Sequence, residues 1–177
     1  QAPKQLILLS ALTTSAIFFV SLVTPFWIIR AKEVIGLSTQ EWGLIAMISG
    51  IIYVRLSIPA GRIVDKVNRK TVVGLCLIAG SAPVTAFLYV TDFTGVAVLA
   101  IITAVINSFI NPAMQALFTD MVPKNTRGRM IAALGGGGVW LMGGAWGLGV
   151  VAMISITLGS LLSGYIYRLE SSLPWLI

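Results

Sequence analysis

The 177-residue chain has no histidine, one cysteine and few charges, with only 10% of its residues Asp, Glu, Lys or Arg. Without histidine there is no imidazole acid–base chemistry and no histidine metal ligand. With Cys76 alone no internal disulfide can form, and a thiol in an apolar run reads as a small, inert hydrophobe. The shortage of charge excludes more. A soluble domain carries about 25% charged residues, so this chain cannot clothe a water-facing surface. With 57% hydrophobic residues, its solvent is expected to be lipid. The net charge of +6 would suggest nucleic acid in a soluble protein. Here the basic residues stand in short clusters between apolar runs, where membrane orientation accounts for them. No nucleic-acid partner, metal or cofactor is expected.

What is present is a series of apolar runs punctuated by charge. A helix crosses a hydrocarbon core of about 30 Å with roughly 20 apolar residues. The runs predict an all-α, polytopic membrane bundle with spans at about 5–29, 40–60, 71–91, 95–119 and 149–167. A sixth span would open near 173. No A-x-A cleavage site follows the first run, so it reads as a span rather than a signal peptide. Ser38 and Glu41 have capping-box spacing and mark the start of the second helix. Residues 130–167 carry no charge, and as one helix they would be about 57 Å long. Eight of the fifteen residues from Gly135 to Gly149 are glycine, which disfavours helix. Segment 135–149 is therefore expected at the interface, anchored by Trp140 and Trp146. Two short spans divided near Gly143–Gly149 are the alternative.

The basic residues set an orientation. With the N-terminus in the cytoplasm, eight lysines and arginines fall inside: Lys4 and the clusters at 61–70 and 124–129. Three fall outside, Arg30, Lys32 and Arg168, and Arg55 lies within a span. The positive-inside rule selects this topology over its inverse.

The loop after the second span reads Gly61-Arg62-Ile63-Val64-Asp65-Lys66-Val67-Asn68-Arg69-Lys70. It resembles the signature loop of the major facilitator superfamily, G-x-L-a-D-r-x-G-r-k, at Gly61, Asp65, Lys66, Arg69 and Lys70. Asn68 replaces the second glycine, and asparagine tolerates positive φ. The stretch 36–43 and the group Pro112–Leu117, Asp120, Pro123 and Arg127–Arg129 are also similar to that family. The resemblance implies half of a transporter, working with its other half to carry a small solute by alternating access in the cell membrane. It implies that Asp65 and Arg69 gate the inner face, Arg69 bridging to a carboxylate such as Asp120. The fourth helix lacks the arginine common in the family's first half. The fifth has Gly159-Ser160-Leu161-Leu162-Ser163-Gly164 without the exporters' proline. Both absences point to the C-terminal half, and the missing initial methionine suggests a fragment.

Polar residues within spans are costly in lipid and stand out for that reason. Asn107, Asn111 and Gln115 recur at i, i+4 and i+8 on the fourth helix, with Pro112 freeing a carbonyl beside them. Helix one carries Thr13, Thr14, Ser15 and Thr24. In the resembled fold the first and fourth helices line the cavity, which makes Asn107, Asn111, Gln115 and Thr14 candidates to meet solute. Interhelical hydrogen bonding is the plainer role, and it is preferred for Thr13 and Ser15. Arg55 is either functional at membrane depth or a snorkelling residue. An enzyme is not expected, since no carboxylate pair or activated nucleophile lies in a span. The rival to transport is a membrane protein of the same build that acts as a sensor or assembly subunit.

Overall fold

The computed structural model describes residues 4–122, 124, 127–134 and 149–169. All the regular structure among them is helical: α1 Lys4–Val23, α2 Phe26–Glu33, α3 Thr39–Val64, α4 Arg69–Ala86, α5 Phe93–Met121, α6 Arg127–Leu134 and α7 Val150–Leu169. Four stretches among the described residues are long and apolar enough to cross a membrane: Ser10–Glu33, Thr39–Val64, Phe93–Met121 and Val150–Tyr167. The glycine-rich segment, apart from Gly149, and the expected start of a sixth span lie outside the described residues.

Local chemistry sets most helix ends. Ser38 caps α3 through a capping box, its hydroxyl accepting from the Glu41 amide while the Glu41 carboxylate accepts from the Ser38 amide. Asp92 caps α5 by accepting from the Gly95 amide at 3.1 Å. Asn68 caps α4 at φ −65°, accepting from the Lys70 amide. The tolerance of asparagine for positive φ is therefore not called on here.

Three expected spans change shape. The run 5–29 is not one helix: it breaks at Thr24-Pro25, and α2 continues to Glu33. Proline has no amide to bond the carbonyl four residues back, and the Thr24 hydroxyl turns onto the Val20 carbonyl at 2.8 Å. Pro59, Pro83 and Pro112 all sit inside helices, so proline alone does not force the break. Packing completes it. Phe26 stacks on Tyr167 with ring centroids 4.1 Å apart, and Trp27 leans on Phe87 at 4.3 Å. The second helix overruns its expected end and reaches Val64, where Asp65 forms the C-cap. The third stops early, at Ala86, and turns on through Leu88 and Tyr89 with bonds to Thr85 and Ala86. In the second basic stretch, Arg127 begins the short helix α6 rather than lying in a loop.

α3 and α4 pack on α5, while α1 packs on α7. At the end opposite the basic loops one apolar cluster gathers Leu22, Phe26, Trp27, Leu37, Ile45, Phe87 and Val96, with Tyr167 of α7 against it. The Arg30 guanidinium closes this end by donating to the Leu88 carbonyl at 2.5 Å. Near the basic loops a second cluster, with Val64, Val73, Ile110 and Met114, draws only on α3, α4 and α5. α7 meets α1 through small buried residues, Ala152, Ser155, Gly159 and Ser163. Small residues let membrane helices approach closely where no hydrophobic effect drives them together.

Candidate functional site

At the basic end one arginine ties three helices. Arg69, in the first turn of α4, donates to Asp65 at the C-cap of α3, 3.1 Å away, and to Asp120 in the last turn of α5. The guanidinium fork suits such a double engagement, since its donors have fixed geometry. Hydrogen bonding to Asp120, then to Asp65, raises the Arg69 pKa above its ordinary value, so the cation is fixed. Arg127 of α6 adds a bond to the Thr119 carbonyl at 3.0 Å. Lys70 is exposed. A side chain at Gly61 would meet nothing within 4 Å, so contacts among the described residues do not demand glycine there.

A cleft of about 220 Å³ lies between α3 and α5. Trp42, Ser49 and Tyr53 line it from α3, and Thr103 and Asn107 from α5. Among the described residues no charged side chain belongs to its wall. The Ser49 hydroxyl donates to the Ile45 carbonyl and the Thr103 hydroxyl to the Leu99 carbonyl, both within their own helices. Their donors are engaged, and their oxygens keep acceptor capacity. Asn107 is 4% exposed and Asn111 2%. Only Asn107 reaches this cleft, and Asn111 is buried one turn farther toward the basic end.

The remaining sequence candidates fall elsewhere. Gln115 is exposed. Each four-residue step overshoots a full helical turn by about 40°, so by i+8 the row has turned well away from Asn107. Thr14 lies in a shallow depression with Ser15, Phe18, Phe19, Ser155 and Leu158, between α1 and α7. It is placed there because α1 pairs with α7 rather than lying along α5. Arg55 is exposed on α3.

The sequence profile of the Major Facilitator Superfamily matches residues 8–176 of the chain. The chain belongs to the major facilitator superfamily. Over 114 residues it is also 25% identical to the uncharacterized MFS-type transporter YhjO of Bacillus subtilis (strain 168). That match covers 64% of this chain and 28% of the relative, so the chain spans well under half the relative's length. It is thus a polytopic membrane protein of a transporter family.

For a facilitator chain, two features were missed by the sequence reading. The Arg30 contact to Leu88 joins residues far apart in sequence, and Leu88 contributes only a backbone carbonyl, which no residue pattern announces. The Gly159 approach to Ser21 had a signal in the small residues spaced along α7, but spacing does not name the partner helix.

Proposed function

We propose that this facilitator chain is one half of a secondary transporter that moves a small solute by alternating access across the cell membrane. The carrying observation is that α3 and α5 wall an uncharged cleft while Asp65, Arg69 and Asp120 join the same two helices, through α4, at the basic end. Contacts that can break and reform at one end can bias a two-state motion, provided the two states differ in them. The solute contacts Asn107, with Trp42 and Tyr53 also in the cleft wall. The second set of helices, the proposed partner half, completes the path.

Asn107→Ala, in protein reconstituted into vesicles, is expected to weaken apparent solute affinity about three- to tenfold, the loss of one neutral hydrogen bond. Asn111→Ala should instead lower the melting temperature and leave affinity close to the parent's, because its side chain is buried away from the cleft wall. Unchanged affinity in folded Asn107→Ala protein defeats the cleft assignment. Vesicles that accumulate no solute with either the parent or the variants would favour the sensor or assembly reading.

The proposed orientation puts the start of α1 and residues 61–70 and 120–129 in the cytoplasm, by the balance of lysine and arginine. A single cysteine at position 66 should react with an impermeant reagent only after cells are opened. Labelling in intact cells reverses the orientation.

A further inference from the structure

The depression between α1 and α7 has a volume of about 320 Å³, within the range that holds a small organic molecule. Phe18, Phe19 and Leu158 form its apolar part, and Thr14, Ser15 and Ser155 bring three hydroxyls. None of these six residues is charged, and none belongs to the cleft between α3 and α5.

Two of the hydroxyls differ from their neighbours. Along the same pair of helices Ser21, Thr24, Ser155, Thr157 and Ser163 each donate to a carbonyl three or four residues back. Such a bond satisfies a hydroxyl where no water is at hand. Thr14 and Ser15 make no hydrogen bond among the described residues. Ser160, the other exception on α7, is not part of the depression. Ser155 has spent its donor on the Val151 carbonyl, and its oxygen can still accept. The depression therefore offers two donors from α1 beside one acceptor from α7.

Depth and surroundings narrow what could use them. α1 begins at Lys4, so Thr14 and Ser15 stand about 15 Å along its axis, near the middle of a hydrocarbon core. Ser15 interrupts an exposed stripe of Leu8, Leu12 and Phe19, and Leu158 stands between exposed Ile154 and Leu162 on α7. The approach is over apolar surface. A phospholipid keeps its polar atoms in the headgroup and interfacial regions, outside the core, and they do not reach this depth. A charged molecule would cross the surrounding apolar surface at high cost. Phe18 and Phe19 already meet edge to face, with ring centroids 5.7 Å apart, and a third ring can join them in the same way or offset.

We propose that this depression binds a small, uncharged, lipid-soluble molecule carrying an aromatic ring and a carbonyl group. The ring packs on Phe18, Phe19 and Leu158, and the carbonyl oxygen accepts from Thr14 and Ser15. The inference rests on the membrane placement of α1 and α7 and not on the cleft as a solute site, so binding, rather than transport, is the quantity to read.

The probe is benzophenone, an uncharged diaryl ketone that inserts into nearby C–H bonds under near-ultraviolet light. It is irradiated with the protein in lipid nanodiscs, and the attachment sites are mapped by mass spectrometry. Attachment at Phe18, Phe19 or Leu158 should saturate with probe and exceed that at Leu44 and Ile51, which are exposed on α3. Thr14→Val and Ser15→Ala should each lower it about three- to tenfold at low probe concentration, the loss of one hydrogen bond, with the melting temperature unchanged. Diphenylmethane, which has both rings and no carbonyl, should compete about tenfold or more less well than unlabelled ketone. Four results overturn the proposal. Attachment that is absent from the depression, or no greater there than at Leu44 and Ile51, reduces it to partition into the bilayer. Attachment unchanged in both variants removes the hydroxyls as donors. A lower melting temperature with unchanged attachment assigns them to helix packing. Rapid modification of Ser15→Cys by a water-soluble thiol reagent, in protein whose Cys76 is replaced by Ser, opens the depression to water instead of lipid.

Discussion

Gly159→Leu is expected to abolish most of the folded protein. A β-carbon at this position would lie 1.9 Å from the Ser21 hydroxyl oxygen and 2.9 Å from the Phe18 carbonyl oxygen. The Ser21 hydroxyl can swing away, though it would lose its bond to the Phe18 carbonyl at 2.7 Å. The Phe18 carbonyl belongs to the backbone of α1 and cannot move without the helix. Even alanine therefore forces α1 and α7 apart, and leucine adds three more carbons to the same gap. Overpacking of this kind costs about 3 kcal/mol or more, a drop in melting temperature of about 10 °C for a protein of this size. The series Gly159→Ala, Gly159→Leu and Gly164→Ala, followed by thermal melting in detergent, separates contact from helix propensity. Gly164 has open space around its missing side chain, so Gly164→Ala should match or exceed the parent. Equal melting of all three proteins would mean that α1 and α7 do not meet at Gly159.

Asp65→Asn should slow transport about tenfold, a coupling of ordinary size between two states, with little change in folded protein. The contacts of Arg69 are exposed, and exposed pairs add little to stability. In the proposed mechanism their effect is on which arrangement of α3, α4 and α5 is favoured. Asparagine keeps the size of the side chain and removes the charge that helps hold Arg69. Asp120→Asn should act in the same direction. The double variant should fall short of the product of the two, since both carboxylates engage one guanidinium. Arg69→Lys should resemble the double variant, because a single ammonium cannot reproduce the fork. Turnover unchanged at equal membrane abundance would reduce these residues to topology charges.

Features with local causes were legible in the sequence. Ser38 and Glu41 are three residues apart, and the capping box follows from that spacing alone. The apolar runs located the main helices because charge cannot be hidden in lipid. The contact between Arg69 and Asp120 spans 51 residues and came from resemblance to a family, not from any local rule. Where the reading missed, partners decided. Pro25 and Pro112 look alike in sequence, yet only the first accompanies a break, since Phe26 and Trp27 have Tyr167 and Phe87 to meet. Thr14 was assigned by the place of its helix in the resembled fold, whereas its neighbours follow from the small residues on α7. Gln115 is exposed and stands about 80° round the helix from Asn107, because i+8 overshoots two full turns.

The two apolar clusters give the chain the mechanics of tongs. At one end α1, α2, α3, α5 and α7 all contribute to a single packed mass, pinned by Arg30. Toward the other, the second cluster draws on neither α1 nor α7, which pack mainly on each other. A joint at one end of two long arms multiplies small rotations. α7 is 20 residues long, about 30 Å of arm, so a tilt of about 10° at the joint would open its far tip by about 5 Å, roughly one helical turn. Side chains at the joint need shift only slightly in their packing for the tips to part by the width of a small molecule.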